Sequence, residues 1–260
     1  MNANNSDLIN DGIYVKKGLL PAKSLNELNK ELDYYFDSYS VNGSIASQFY
    51  GPSTSIFDHV HFLQSINIYE LLVDIADVWL KLYPSFKNDN YILTRISFKE
   101  EVGETDGILW HTDQTSKLFR NIIFLEGGLK DSGQFRFMKK THKMNTGIDF
   151  AMTEKQYQEY KHLEVCPDTH PGDIIFFDAK GFHSNFPRKN KRRSVILTWE
   201  KKRAHQSLSR YAIGVNQLSS KVLKNINYFK VDNYLFFDKK DYDYNPSSPL
   251  PIKNTFILLL

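Results

Sequence analysis

The strongest constraint on this chain lies between residues 91 and 200, where short runs rich in β-branched and aromatic residues follow one another closely. Residues 91–98, 111–119, 121–125, 134–138, 163–165, 174–177 and 194–200 are each of strand length. Between them stand turn signals: Gly127-Gly128, Asp131-Ser132-Gly133 and Pro171-Gly172-Asp173. Glycine supplies positive φ, proline fixes its own, and Asp or Ser closes a local turn, so such clusters end strands rather than extend them. Many short strands at these intervals predict a sandwich or barrel. One helix, at about 153–162, interrupts them.

The region before residue 91 has a different period. Pro21 opens a helix in which Leu25, Leu28, Leu32, Tyr35 and Phe36 recur every three or four positions. Residues 66–82 predict a second helix, with Leu71, Leu72, Ile75, Val78, Trp79 and Leu82 facing inward. Residues 13–20 read as a short strand, 38–55 as a loop or lid, and 1–11 as a loose polar end. Past Arg203 the pattern weakens to a helix near 217–226 and an aromatic, Asp/Lys-rich tail. Helices first and a β-rich core after them predict an α+β fold. The whole chain, 1–260, reads as one domain with its core at about 90–200 and an extension over 204–260.

At 260 residues, 41% hydrophobic and 24% charged, the chain can bury a sizeable core. Its one cysteine, Cys166, excludes an intramolecular disulfide and any multi-cysteine metal site. It reads as a buried small hydrophobe and points to a reducing, cytoplasmic compartment. No basic segment followed by an apolar one opens the chain, and no apolar run approaches the ~20 residues that span a bilayer. The apolar residues 256–260 suggest a strand or a patch through which oligomers form. A net charge of +3 is too mild to argue for nucleic acid, which is not expected as a partner.

The triplet His111-Thr112-Asp113 carries the chemistry. On a strand, residues i and i+2 share a face, so an imidazole and a carboxylate would project together. Two ligands cannot complete one face of a metal, and His183 is the best candidate for the third. It follows Pro171-Gly172-Asp173 and the strand Ile174-Ile175-Phe176-Phe177, 72 residues beyond His111, far enough for the chain to double back. Two histidines and one carboxylate with the opposite face open suit non-heme Fe(II) oxygenases. By itself a His-x-Asp triplet is short enough to arise by chance. Arg192 and Arg193 then enter the strand Val195-Ile196-Leu197-Thr198-Trp199, where an arginine could pair bidentately with a carboxylate in the barrel mouth. Alternation sets Arg193 on the side of Val195 and Leu197 without saying which face is interior.

With these residues in view, the sequence resembles the phytanoyl-CoA dioxygenase (PhyH-like) group of Fe(II)/2-oxoglutarate oxygenases. Four segments carry the likeness, over roughly residues 90–200. They are Trp110-His111-Thr112-Asp113-Gln114, then Ser132-Gly133-Gln134-Phe135-Arg136-Phe137 leading to Thr141-His142-Lys143, then Pro171-Gly172-Asp173-Ile174-Ile175-Phe176-Phe177, and lastly His183-Ser184-Asn185 followed by Arg193. The resemblance implies a double-stranded β-helix (jelly-roll, cupin-like) core with the N-terminal helices packed on one sheet. It implies that His111, Asp113 and His183 hold Fe(II) as the catalytic centre, with O₂ and 2-oxoglutarate as cosubstrates, and that Arg193 binds the distal carboxylate of 2-oxoglutarate. Asp113 keeps the carboxylate that related halogenases lack, which implies hydroxylation over chlorination. Thr141 stands where the family has Ser. The Arg-x-Ser of some related oxygenases is absent, so Thr112, Gln114, Lys117 and Ser97 are the candidates for a second cosubstrate contact.

The expected activity is hydroxylation of an unactivated C–H bond in a small molecule, coupled to decarboxylation of 2-oxoglutarate. An oxygenase acting on a macromolecule would need a continuous basic or peptide-sized groove. A jelly-roll binding module without chemistry would have no reason to keep three ligands and an arginine. His59 and His61 read as pocket or surface residues, and His142 as structural. Trp110 and Trp199 read as core aromatics.

Overall fold

The computed structural model describes residues 7–41, 53–57, 68–86, 91–113, 118–144, 151–201, 212–214 and 235–237. The chain starts with a short helix, α1 (Asp7–Asp11), and a strand, β1 (Ile13–Lys16). Leu8 of α1 is buried, so part of the segment expected to be loose is anchored in the core. Next come α2 (Ala22–Val41), β2 (Ser53–Phe57) and α3 (Ile68–Leu82). The expected loop at 38–55 is thus helical at its start and a strand at its end. Then follow β3 (Tyr91–Glu101), β4 (Ile108–His111), β5 (Leu118–Glu126), β6 (Phe135–Met138), α4 (Glu154–Tyr160), β7 (Glu164–Val165), β8 (Ile174–Asp178), β9 (His183–Asn185) and β10 (Arg192–Lys201). A parallel pair, β11 (Ala212–Gly214) with β12 (Leu235–Phe237), stands as a separate ribbon. The expected helix near 217–226, the apolar end at 256–260, and His59 and His61 lie outside the described residues.

Two antiparallel sheets face each other, one in the order β1-β8-β5-β10-β3-β2 and one in the order β4-β9-β6-β7. From β3 to β10 the chain alternates between them, apart from the step from β6 to β7, and this winding makes the predicted double-stranded β-helix. The larger sheet has two buried faces. On its outer face Phe119, Ile123, Ile174, Phe176, Val195, Leu197 and Trp199 pack with Leu28, Leu32, Leu72, Ile75 and Trp79 of α2 and α3. On its inner face Ile122, Phe124, Ile175 and Phe177 meet Phe135 and Phe137 of the smaller sheet, and Ile196 packs against them. Because side chains alternate along a strand, this assigns the buried residues of β5 and β10 to the helices or to the barrel interior.

Local chemistry fixes the ends of these elements. Thr153 caps α4 by accepting from the Gln156 backbone, and Gln156 reaches back to the Thr153 N–H, a reciprocal capping box. Gly172 has φ 91, and a Cβ there would lie 2.6 Å from the Leu20 carbonyl oxygen. The next residue, Asp173, accepts from the N–H groups of Gly18 and His170 and from Lys17, which ties the entry of β8 to the end of β1. Cys166 is exposed at the end of β7, on the edge of the smaller sheet, and is not the buried residue expected. Among the described residues, no helix is long and apolar enough to cross a membrane.

One polar group is sealed between sheet and helices. Asn121 is fully buried, and its Oδ1 accepts from the indole N–H of both Trp79, at 3.0 Å, and Trp199, at 2.8 Å. Replacing Asn121 by leucine strands both donors in an apolar layer. At ~1–3 kcal/mol for each unsatisfied group, urea unfolding of Asn121→Leu should show a loss of about 3 kcal/mol. An unchanged midpoint would mean the two indoles find other acceptors.

Candidate metal centre

Strand β4 ends at His111, one residue before the expected pairing pattern would carry Thr112 and Asp113 onward. His111 lies directly opposite His183, the first residue of β9, and the register slips between Ile108 and His111. Asp113 therefore shares no strand with His111. Its place is set by a backbone bond from its N–H to the Ala179 carbonyl at 2.9 Å, in the turn between β8 and β9. The convergence expected from i, i+2 geometry is reached by a different route: the end of β4, the start of β9 and the β8–β9 turn meet at one rim of the barrel.

The two imidazoles are oriented alike. His111 Nδ1 lies 2.8 Å from the carbonyl of Leu109, and His183 Nδ1 lies 2.9 Å from that of Gly181. A carbonyl can only accept, so each Nδ1 carries a proton, and Nε2 is the atom each ring has left to coordinate through. Those Nε2 atoms face one carboxylate: His183 Nε2 is 3.3 Å from Asp113 Oδ2 and His111 Nε2 is 4.0 Å from Asp113 Oδ1. One ligand atom from each of the three residues lies within 4.8 Å of the other two. The rings stand 4.4 Å apart, centroid to centroid, and Phe135 and Phe177 border His183 at 6.0 and 5.1 Å.

Burial sets the protonation of the site. Burial, with the neighbouring His183, lowers the His111 pKa to about 4, against smaller upward pulls from the Leu109 carbonyl and Asp113. For Asp113, burial pushes the carboxyl up, but the His183 ring and the Arg120 and His111 charges outweigh it and hold the group well below the usual carboxylate range. Asp113 Oδ2 is buried, with His183 Nε2 at 3.3 Å and a guanidinium nitrogen of Arg120 at 2.9 Å. A buried carboxylate that faces two imidazole Nε2 atoms is the donor set of a divalent metal. The residues fit such an ion: the ligand tips converge, and each ring's Nδ1–H is held by a carbonyl, which leaves Nε2 for the metal.

Other site residues expected from sequence are placed differently. Thr112 is buried between the two ligands in the chain. Gln114 and Lys117 lie outside the described residues, and for Ser97 only the backbone is described, opposite Ile196 of β10. Arg193 is a correction. It shares the outer face of β10 with Val195 and Leu197, where it bonds Glu100, Asp33 and both the backbone and side-chain oxygens of Asn29. It clamps α2 to the sheet, so it cannot anchor a ligand in the barrel mouth. Arg192 occupies the inner face, where Nε and Nη2 are each 2.6 Å from Glu101 Oε2 and Nη1 bonds the Gly133 carbonyl.

One residue escaped the sequence reading, and another has a role there that the sequence did not give. Arg120, on the inner face of β5, places Nη1 2.9 Å from Asp113 Oδ2. Thr141 donates to the Met138 carbonyl at 2.7 Å and accepts from the Phe182 N–H at 2.9 Å, which braces the residue before His183. His142 is structural, buried with Nε2 3.3 Å from the Ile9 carbonyl. On the outside of the smaller sheet, Arg136 stacks between Trp110 and Phe186 and pairs with Glu164.

No protein-family model and no curated protein matches the chain. Solved structures do match in fold. EctD from S. alaskensis, solved with 2-oxoglutarate and 5-hydroxyectoine, superposes with a TM-score of 0.62 at 18% identity, covering 75% of this chain and 74% of that one. The epimerase SnoN, solved with Fe3+, alpha ketoglutarate and nogalamycin RO, gives 0.59 at 16% identity, covering 76% and 82%. HygX from Streptomyces hygroscopicus, solved with nickel, 2-oxoglutarate and hygromycin B, gives 0.55 at 10% identity, covering 78% and 88%.

Proposed function

We propose that this chain is an Fe(II)/2-oxoglutarate-dependent oxygenase that hydroxylates an unactivated C–H bond of a small molecule. The observation that carries the reading is the convergence of His111, Asp113 and His183 at one rim of the barrel, with their ligand atoms within 4.8 Å of one another. The similar folds were solved with iron or nickel, with 2-oxoglutarate, and with small molecules, which supports the class. SnoN is an epimerase, so the fold alone does not fix the outcome. Asp113 favours oxygen insertion, because it fills a position that a halide would otherwise need.

Iron bound at this triad supplies oxygen activation coupled to decarboxylation of the 2-oxo acid. The chain's own residues set the conditions for it. His111 and His183 offer their Nε2 atoms because Leu109 and Gly181 hold their Nδ1 protons. Asp113 offers the single negative charge, fixed in place through its backbone bond to Ala179. Phe135, Phe177 and Ile122 close the barrel beneath the rings and exclude water from the inner side.

Purified protein given Fe(II), ascorbate and 2-oxoglutarate in air should convert 2-oxoglutarate to succinate even without its substrate, at a slow uncoupled rate. His183→Ala should bring that rate to the no-enzyme background. Equal succinate from wild type and His183→Ala would remove the triad from the reaction.

A further inference from the structure

The proposed cosubstrate carries a second carboxylate, and a carboxylate brought into a barrel walled by Phe and Ile needs a cation to meet it. Counting donors and neighbours separates the arginines near the core. Arg188 is buried with Nε and Nη1 unpaired among the described residues, but it sits with Glu101 and Arg192, its Nη2 meets the Val102 carbonyl at 3.5 Å, and none of its contacts is to a triad residue. Arg193 lies outside the barrel, with its guanidinium committed to Glu100, Asp33 and Asn29. Arg192 lies inside, but its charge is matched by Glu101 and its third nitrogen by Gly133 and by Asn185 Oδ1 at 3.3 Å. Drawing Arg192 away would leave Glu101, only 5% exposed, as an unpaired buried charge. Both are closed units.

Arg120 is not closed. Its Nε is buried with no acceptor among the described residues, and its Nη1 pairs with Asp113, a residue whose charge a metal would share. Once that carboxylate is shared with a divalent ion, Arg120 is a guanidinium on the inner wall with capacity for a second anion. It stands beside the triad, on the strand that faces β8 and β10, and directly opposite Thr198, which alternation also turns inward. The other inward residues of β10 above Arg192 are Ser194 and Ile196, neither of them a cation.

We infer that Arg120, on β5, binds the distal carboxylate of 2-oxoglutarate, the role that the sequence assigned to Arg193. The inference rests on the oxygenase reading above and adds to it the residue that selects a dicarboxylic 2-oxo acid. The anchor is then supplied by the strand that follows the His-x-Asp segment, not by the one that follows the second histidine.

The test is anaerobic titration of the Fe(II)-loaded protein with 2-oxoglutarate and with 2-oxopentanoate, which has the same chelating end and a methyl in place of the distal carboxylate. Binding is read from the visible charge-transfer band of the metal-chelated 2-oxo acid, so no turnover is needed. Wild type should prefer 2-oxoglutarate. Arg120→Gln should weaken 2-oxoglutarate roughly 10- to 100-fold more than it weakens 2-oxopentanoate, whose binding reads out any change passed to the metal through Asp113. Arg120→Lys, which keeps the charge and so guards against a folding artefact, should fall between the two. If both variants keep the wild-type preference, Arg120 is not the anchor, while the oxygenase reading stands. If wild type gives no band with either acid, the oxygenase reading falls and this assignment with it.

Discussion

Asp113→Ala should abolish both metal retention and 2-oxoglutarate turnover. Loss of an outer partner of a metal ligand typically lowers affinity or activity roughly 10–100-fold, and loss of the one anionic ligand should exceed that. Three effects act in the same direction. The substitution removes the only negative charge among the three ligands. It leaves His111 and His183, two neutral rings with centroids 4.4 Å apart, to hold a dication by themselves. It also strips Arg120 of the carboxylate at 2.9 Å, so a full positive charge then faces the ion across a poorly solvated gap. Asp113→Glu should fail nearly as badly, because the backbone is pinned to Ala179 and an added methylene drives the carboxylate past the meeting point of the two Nε2 atoms. Metal content after gel filtration, read beside succinate production, checks both. A variant that kept wild-type metal and turnover would show that the ion sits elsewhere.

How much of this centre was readable from the sequence depends on what each residue had to know about the rest of the chain. The jelly-roll core was readable because β-branched runs and turn clusters are local properties, and every predicted strand between residues 121 and 200 recurs to within a few positions. The helices were readable for the same reason, as the spacing of Leu25, Leu28 and Leu32 requires only a helical period. The triad was readable as a set, though not in its mechanism of assembly: the strand predicted over 111–119 breaks after His111, and Asp113 is positioned by Ala179, 66 residues away in the chain. Arg193 marks the limit. Alternation paired it correctly with Val195 and Leu197, but which side of β10 is interior is decided by α2 packing on the sheet and offering Asn29 and Asp33. Arg120 was invisible for a related reason. One arginine within Leu118-Phe119-Arg120-Asn121-Ile122 reads as the solvent-facing position of a half-buried strand until the rim of the barrel is known. Cys166 failed in reverse, since a small apolar residue near a strand reads as buried and the edge position of β7 is a property of the sheet.

The metal-free protein should lose stability as pH falls from about 6.5 to about 4, and His111 is the cause. Its folded pKa of about 4 lies below the ordinary value of 6.5, because burial and the adjacent His183 disfavour the charged ring. Between those two values the unfolded chain binds a proton at this position that the folded chain does not, so stability rises with pH across the window. The contribution is fully present above pH 6.5 and is lost as pH falls through 4, on the order of 3 kcal/mol at ~1.4 kcal/mol per tenfold change in proton affinity. Asp113 acts with the same sign at lower pH: its carboxyl is also held below its ordinary value, so its contribution is lost only beneath about 3.8. The two windows barely overlap, which makes them separable. Urea unfolding of metal-free protein at intervals from pH 8 to pH 4 should show the upper loss in wild type, and His111→Gln, which cannot take up a proton, should flatten it. Divalent metal binds the folded state through the same neutral Nε2, so the stability it adds should be greatest above pH 6.5 and shrink towards pH 4 as protons compete for the ligands. An apo curve that is flat over this window in wild type, or equally steep in His111→Gln, would show that the ring is not buried in its neutral form and that the site is not poised for metal in the way its geometry indicates.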